Sequence, residues 1–224
     1  MGPEITATVA IAAGAAWASG INLYAALLMF GILGTTGTLT LPPDLEILTN
    51  PLVITAAGFM YLVEFFADKT PGVDSAWDVI HTFVRIPAGA ALAAGAVGEL
   101  DAGVQMAAFI VGGGLAASSH VAKTSSRAVI NTSPEPVTNW SASVTEDLMV
   151  FGGLWAALNH PVVFLVLLLI FLLALAWLLP KIFRILKGIF RRIRDFFRGT
   201  PPDTDAPPIP EAGHSVALDK PGSD

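Results

Sequence analysis

The stretch SAWDVIHTFVRIPAGAALAAGAVG, residues 75–98, decides how the chain folds. Counted from Pro87, its apolar part reaches Gly98 after about 12 residues, whereas a helix crossing a bilayer needs about 20. A full crossing therefore begins near Trp77, with Ser75 as its N-cap. That start draws Asp78, His81 and Arg85 into the helix at i, i+3 and i+7, on one face. Pro87 is expected to kink the helix just beyond them.

The rest of the chain agrees with a bilayer as solvent. Of its 224 residues, 54% are hydrophobic and 13% charged, against a usual charged share of about 25%. The 21 glycines and many alanines fall largely inside apolar runs, where small residues let membrane helices approach closely. There is no cysteine, which excludes disulfides, thiolate catalysis and thiolate-held metals. The first apolar run lacks a basic leader and is expected to remain as a helix rather than act as a signal peptide.

Six crossings are expected. The first covers residues 5–33 and is interrupted at Ser19-Gly20-Ile21-Asn22. That break reads either as a kink with Asn22 bonded to a neighbouring helix, or as an unwound segment lining a path. A polar loop leads to the second run, 52–66, with Glu64 near its end. The fourth runs from about Ala102 through the Gly112–Gly114 triplet to Arg127, carrying His120, Lys123 and Arg127 at i, i+3 and i+7. The triplet reads as a close-packing surface. After the polar break 131–139, a fifth helix is expected from Ser141 or Ser143, with Glu146 and Asp147 in its first turn, where acids suit the helix dipole. The sixth, 161–179, is almost purely aliphatic.

The expected architecture is an all-α polytopic transmembrane bundle over residues 1–180. Residues 181–198 form a basic amphipathic helix suited to an anionic membrane surface. Lys181, Arg184, Lys187, Arg191, Arg192, Arg194 and Arg198 lie mostly off its apolar stripe. The tail 199–224 is rich in proline and aspartate and is expected to be disordered. Seven of the twelve lysines and arginines fall in 181–198, so the C-terminus is placed in the cytoplasm and, with six crossings, the N-terminus too. Two Pro-broken, charged hairpins then point to the cytoplasmic side. They read either as a duplicated hairpin or as convergence on similar turn chemistry.

Those hairpins, 64–85 and 120–147, hold seven acids (Glu64, Asp68, Asp74, Asp78, Glu135, Glu146, Asp147) and four fixed cations (Lys69, Arg85, Lys123, Arg127). Ionisable groups at membrane depth are costly unless paired, and they commonly mark function. The candidate substrate or ion site is Asp68, Asp74, Asp78, His81, Arg85, Lys123, Arg127, Glu135, Asn139, Glu146 and Asp147. A surplus of carboxylate oxygens suits a bound cation, and no other cofactor is indicated. Asp74, Asp78 and His81, at i, i+4 and i+7, could share a divalent ion. His81 or His120 could instead carry protons. The plainer alternative is a set of salt bridges that only fastens helices together.

No catalytic signature is present. Ser118 and Ser119 adjoin His120, but adjacent helical residues point apart, so they form no local Ser–His dyad.

The run Glu64-Phe65-Phe66-Ala67-Asp68-Lys69-Thr70-Pro71, then Asp74, Trp77-Asp78, His81-Thr82 and Arg85, resembles the bacterial membrane family catalogued as domain of unknown function 4126. The segments Ser19-Gly20-Ile21-Asn22-Leu23-Tyr24 and Asn131-Thr132-Ser133-Pro134-Glu135-Pro136 to Asn139 resemble it too, so the likeness covers roughly residues 11–158. It implies a multi-pass protein of the bacterial inner membrane and no particular reaction. The leading functional expectation is a transporter or channel for a small cation. The alternatives are a protein that binds or moves an anionic lipid or phosphate headgroup, and a scaffold without a substrate. Expected partners are the bilayer, anionic lipids at the basic helix, and a small ion or lipid. Nucleic acid is not expected, and self-association is left open.

Overall fold

In the computed structural model, residues 2–70, 72–98, 100–132 and 136–198 are described. The chain divides into two units, Met1–Leu186 and Lys187–Asp224. Among the described residues there are six α-helices, one short 3-10 helix and no strand. The α-helices are α1 (Pro3–Thr35), α2 (Pro51–Ala67), α3 (Val73–Ala96), α4 (Ala102–Ile130), α5 (Pro136–Asn159) and α6 (Pro161–Arg198). The 3-10 helix, Pro43–Thr49, lies between α1 and α2 and tucks Leu45 and Leu48 into the core.

Local chemistry fixes the helix starts. Proline fits the first helical position because the N–H it lacks would be unpaired there anyway, and α1, α2, α5 and α6 all open on one. Asn50 caps α2 by accepting from the Leu52 amide at 2.9 Å, and Asp101 caps α4 by accepting from the Gly103 amide at 2.8 Å. Gly72, in the α2–α3 turn, has φ of +85°, a conformation that costs a side-chain-bearing residue dearly.

α1 is the central helix and packs against α2, α3, α4 and α5, while α3 and α4 pair closely. Glycine permits the closest approaches. A Cβ on Gly20 would run into the Ser119 hydroxyl and the Ala116 carbonyl of α4, and one on Gly112 would strike Ala93 of α3. Of the expected glycine packing surface, Gly112 is packed, whereas Gly114 faces open space.

Beside an apolar core that includes Phe30, Val150 and Leu154, the bundle buries charge and exposes large apolar side chains. Its largest fully buried side chains include Arg85, Arg127, Glu64, Asn22, Asn139, Asp74 and Asp78. Its exposed ones include Phe83, Leu52, Phe59 and Trp177. Charged residues are almost never fully buried in soluble folds unless paired. Apolar exposure around a polar interior is what a hydrocarbon solvent selects.

Several expectations change. Four helices are long and apolar enough to cross a membrane: 4–35, 73–96, 102–130 and 161–184. The 3-10 helix and α2, bent by 69° at their junction, could form a fifth crossing. The expected six therefore becomes four or five. α2, of 17 residues, counts only together with the 3-10 helix, and α5 falls short where Asn139, Ser141, Ser143, Glu146 and Asp147 dilute the apolar run. This helix also begins at Pro136, not near Ser141, so Glu146 and Asp147 lie in its third turn, not its first. α3 begins at Val73, slightly before the expected Ser75, and runs on through Pro87. The basic segment continues from the last aliphatic span as one helix, with Pro180 inside it. The expected tail, 199–224, lies outside the described residues.

Candidate functional site

Each helix around the centre contributes charge. Near its C-terminal end α2 presents Glu64 and Asp68, one turn apart. α3 brings Asp78 and Arg85, α4 brings Lys123 and Arg127, and α5 brings Glu146. The guanidinium of Arg85 donates to Glu64 Oε1 at 2.7 Å and to Asp78 Oδ1 at 2.8 Å. Arg127 grips Glu146 with two hydrogen bonds, at 3.0 and 2.8 Å, the bidentate geometry that makes such pairs strong. Arg127 also donates to the Asp68 carbonyl at 2.9 Å.

Lys123 joins the two halves. Its ammonium lies 2.7 Å from Asp68 Oδ2, 3.4 Å from Glu64 Oε1, 3.5 Å from Glu146 Oε2 and 3.7 Å from Asp78 Oδ1. It also donates to the Ile21 carbonyl of α1 at 3.1 Å. Ile21 precedes Asn22, whose φ of −145° and ψ of 96° break the helix. The carbonyl that meets Lys123 is thus supplied at the discontinuity in α1.

The contiguous network holds four carboxylates against three cations, a formal charge of −1 with every side chain at least nine-tenths buried. Glu64 Oε2, Asp68 Oδ1, Asp78 Oδ2 and Arg85 Nε have no hydrogen-bond partner among the described residues. In native structures, buried polar atoms left without a partner are uncommon.

The other expected residues sit around this centre. Asp147 accepts from Asn22 Nδ2 at 3.0 Å and from the Tyr61 hydroxyl at 3.3 Å. The break in α1 is therefore both non-helical and hydrogen-bonded across to α5. Asp74 caps the start of α3, accepting from the Gly72 and Ser75 amides, and accepts from Asn131 at the end of α4. Asn131 in turn accepts from Asn139 at 3.3 Å.

The partners of His120 fix a neutral tautomer. His120 Nδ1 faces Arg85, which can only donate, at 3.3 Å, leaving Nε2–H to donate to Thr82 Oγ1 at 2.7 Å. His81 Nδ1–H donates to the Trp77 carbonyl at 2.9 Å, and Nε2 shares a hydrogen bond of 3.1 Å with the Tyr24 hydroxyl, with the Trp77 ring stacked on the imidazole. This assignment follows from the partners each nitrogen meets.

The divalent-ion arrangement does not assemble. Asp74 is committed to the α3 start, Asp78 to Arg85 and His81 to Tyr24 and Trp77. Among the described residues, no three His, Asp or Glu side chains are grouped to hold a metal. Glu135 lies outside the described residues.

Ser119, set beside His120, donates to the Trp17 carbonyl at 2.8 Å and so ties α4 to α1. Among the basic residues of α6, Lys181 rests its ammonium on the Trp177 ring, 2.9 Å from its centroid, and Arg184, Lys187 and Arg191 are exposed. The side chains of Arg192, Arg194 and Arg198 lie outside those described.

Two participants were absent from the expected site. Glu64 is the acid shared by Arg85 and Lys123, and Ile21 contributes through its backbone. A lone acid inside an apolar run is the signal for the first. No side-chain pattern could mark the second.

Residues 9–181 match the family described as Domain of unknown function (DUF4126), and the chain belongs to that family. The match takes in the start of α6, which the resemblance over 11–158 left out. No curated protein and no solved structure matches the chain.

Proposed function

We propose that this integral membrane protein is a transporter or channel for a small cation, with its site built from residues 64–85 and 120–147. The observation that carries the reading is the buried network with one carboxylate in excess, set against a broken helix. Burying an ion costs several kcal/mol even after relaxation. A bundle that needed only fastening could use apolar side chains at similar or better stability. Discontinuous helices whose freed carbonyls meet ions near the bilayer midplane are a recurring device of transporters.

Access also supports it. A groove of about 200 Å³ is lined by Ile21, Ser119, Lys123, Ser126, Glu146 and Phe171. Two of its lining residues, Lys123 and Glu146, belong to the network. The anionic-headgroup alternative is less favoured, because Arg85, Lys123 and Arg127 are already engaged by carboxylates. The bilayer in question is the bacterial cytoplasmic membrane, with the basic end of α6 on the cytoplasmic side, where lysine and arginine accumulate.

The test is uptake of radioactive sodium or rubidium into liposomes holding the purified protein. Uptake above that of protein-free liposomes is expected, falling at least tenfold in Asp68→Asn with helix content unchanged. Wild-type uptake equal to that of empty liposomes for both ions, and for a proton gradient, would leave the scaffold reading in its place. A co-purifying anionic lipid lost in Arg127→Ala would favour the headgroup reading.

A further inference from the structure

The oxygens around Lys123 form a cage drawn from four helices: the Ile21 carbonyl of α1, Glu64 and Asp68 of α2, Asp78 of α3 and Glu146 of α5. The other charged or titratable groups that interact with Lys123 are Arg85 and His81 of α3, Arg127 and His120 of α4 and Asp147 of α5. A lysine ammonium on a flexible stem occupies the point about which these oxygens gather. Three of the carboxylates keep a second oxygen without a partner, and each of these adjoins the oxygen that faces Lys123. The cage thus offers more acceptors than one ammonium can use.

We propose that this cage is a binding site for one monovalent cation of about ammonium size, and that Lys123 is its tethered occupant, giving up a proton when the cation enters. The inference rests on the cation-transport reading and names the substrate class.

The distances decide the class. The ammonium-to-oxygen separations of 2.7 to 3.7 Å are too long for calcium, at about 2.3–2.6 Å, or magnesium, at about 2.0–2.1 Å. Charge decides the stoichiometry. A cation entering beside a charged lysine would meet a like charge within the same few ångströms. If one N–H bond of the ammonium breaks and the proton passes to bulk water, a neutral amine remains. The entering cation then restores the lost charge, and the network stays at its formal −1. One cation in and one proton out is an electroneutral exchange, in which Lys123 holds the empty site together between turnovers.

Lys123→Ala removes three methylenes and the ammonium, which free n-propylammonium replaces. The expected result for the purified variant in detergent is a melting temperature raised by several degrees by propylammonium and not by choline, with wild type unresponsive to both. A variant that folds only when propylammonium is present during purification supports the proposal equally. A folded variant that propylammonium does not stabilise overturns it.

If the variant folds under neither condition, weakly buffered wild-type protein decides. Potassium or ammonium chloride, but not choline chloride, is expected to release up to one proton per chain. No release overturns the exchange. Neither readout involves flux, so the two proposals can fail separately. Cation binding without liposome uptake removes the transport function and keeps the site. Uptake without stabilisation or proton release removes the site and keeps the function.

Discussion

Arg85→Met tests the energetics of the buried network. Arg85 is fully buried and holds Glu64 and Asp78 at 2.7 and 2.8 Å. Methionine has similar length and no charge. Its introduction leaves Glu64 and Asp78 with only Lys123, at 3.4 and 3.7 Å. The network then carries four carboxylates against two cations. Removing one partner of a buried pair costs about 3–5 kcal/mol, which is about a 200- to 5,000-fold loss in the folding equilibrium. The assay is a denaturant titration of the protein in bicelles, followed by tryptophan fluorescence. A second variant, Glu64→Leu with Arg85→Met, removes an acid along with the cation and restores the formal charge of −1. Its loss is expected to be smaller than the sum of the two single losses by about 0.5–3 kcal/mol, the range for residues in direct contact. A single-variant loss under about 1 kcal/mol, or strict additivity, would refute the view that these charges are buried and mutually dependent.

Gly20→Ala drives a methyl into the Ser119 hydroxyl and the Ala116 carbonyl. It is expected to cost about 1–3 kcal/mol or more, while Gly114→Ala, facing open space, is neutral or slightly stabilising in the same titration. Asn22→Ala removes the donor to Asp147 and is expected to cost about 1–3 kcal/mol, as for a buried acceptor that loses a partner. Lys69 lies in the α2–α3 turn with its ammonium over the Phe65 ring, and burial pulls its pKa below the ordinary lysine value of 10.5. The unfolded chain therefore binds that proton more tightly, so the penalty is complete below the lowered value and is relieved as pH rises to 10.5. Wild-type stability is expected to rise across that window relative to Lys69→Met, and parallel melting curves of the two would contradict this.

Span length made α3 legible. The shortness of the apolar run after Pro87 forced Asp78, His81 and Arg85 into the helix, and all three lie there, buried. The i, i+7 spacing of Asp78 and Arg85 became a real contact. α4 was readable for the same reason. α5 was misjudged because Pro136 looked like part of a polar break, although proline at the first helical position is a start signal. That error hid the depth of Glu146 and Asp147. Spacing within a helix also overstated Asp74, Asp78 and His81 as a set, since neighbours on other helices claim each of them separately. Partners such as Asn22 with Asp147, 125 residues apart, depend on tertiary packing, to which periodicity is blind.

Proton movement across a membrane tests the proposed cation–proton exchange most directly. Liposomes loaded with a pH-sensitive dye and holding the wild-type protein are given an inward potassium gradient at zero membrane potential. Alkalinisation of the lumen is expected as cations enter and protons leave, and it should be absent with choline and in Asp68→Asn. A lumen whose pH follows that of protein-free liposomes under every cation gradient would contradict the exchange.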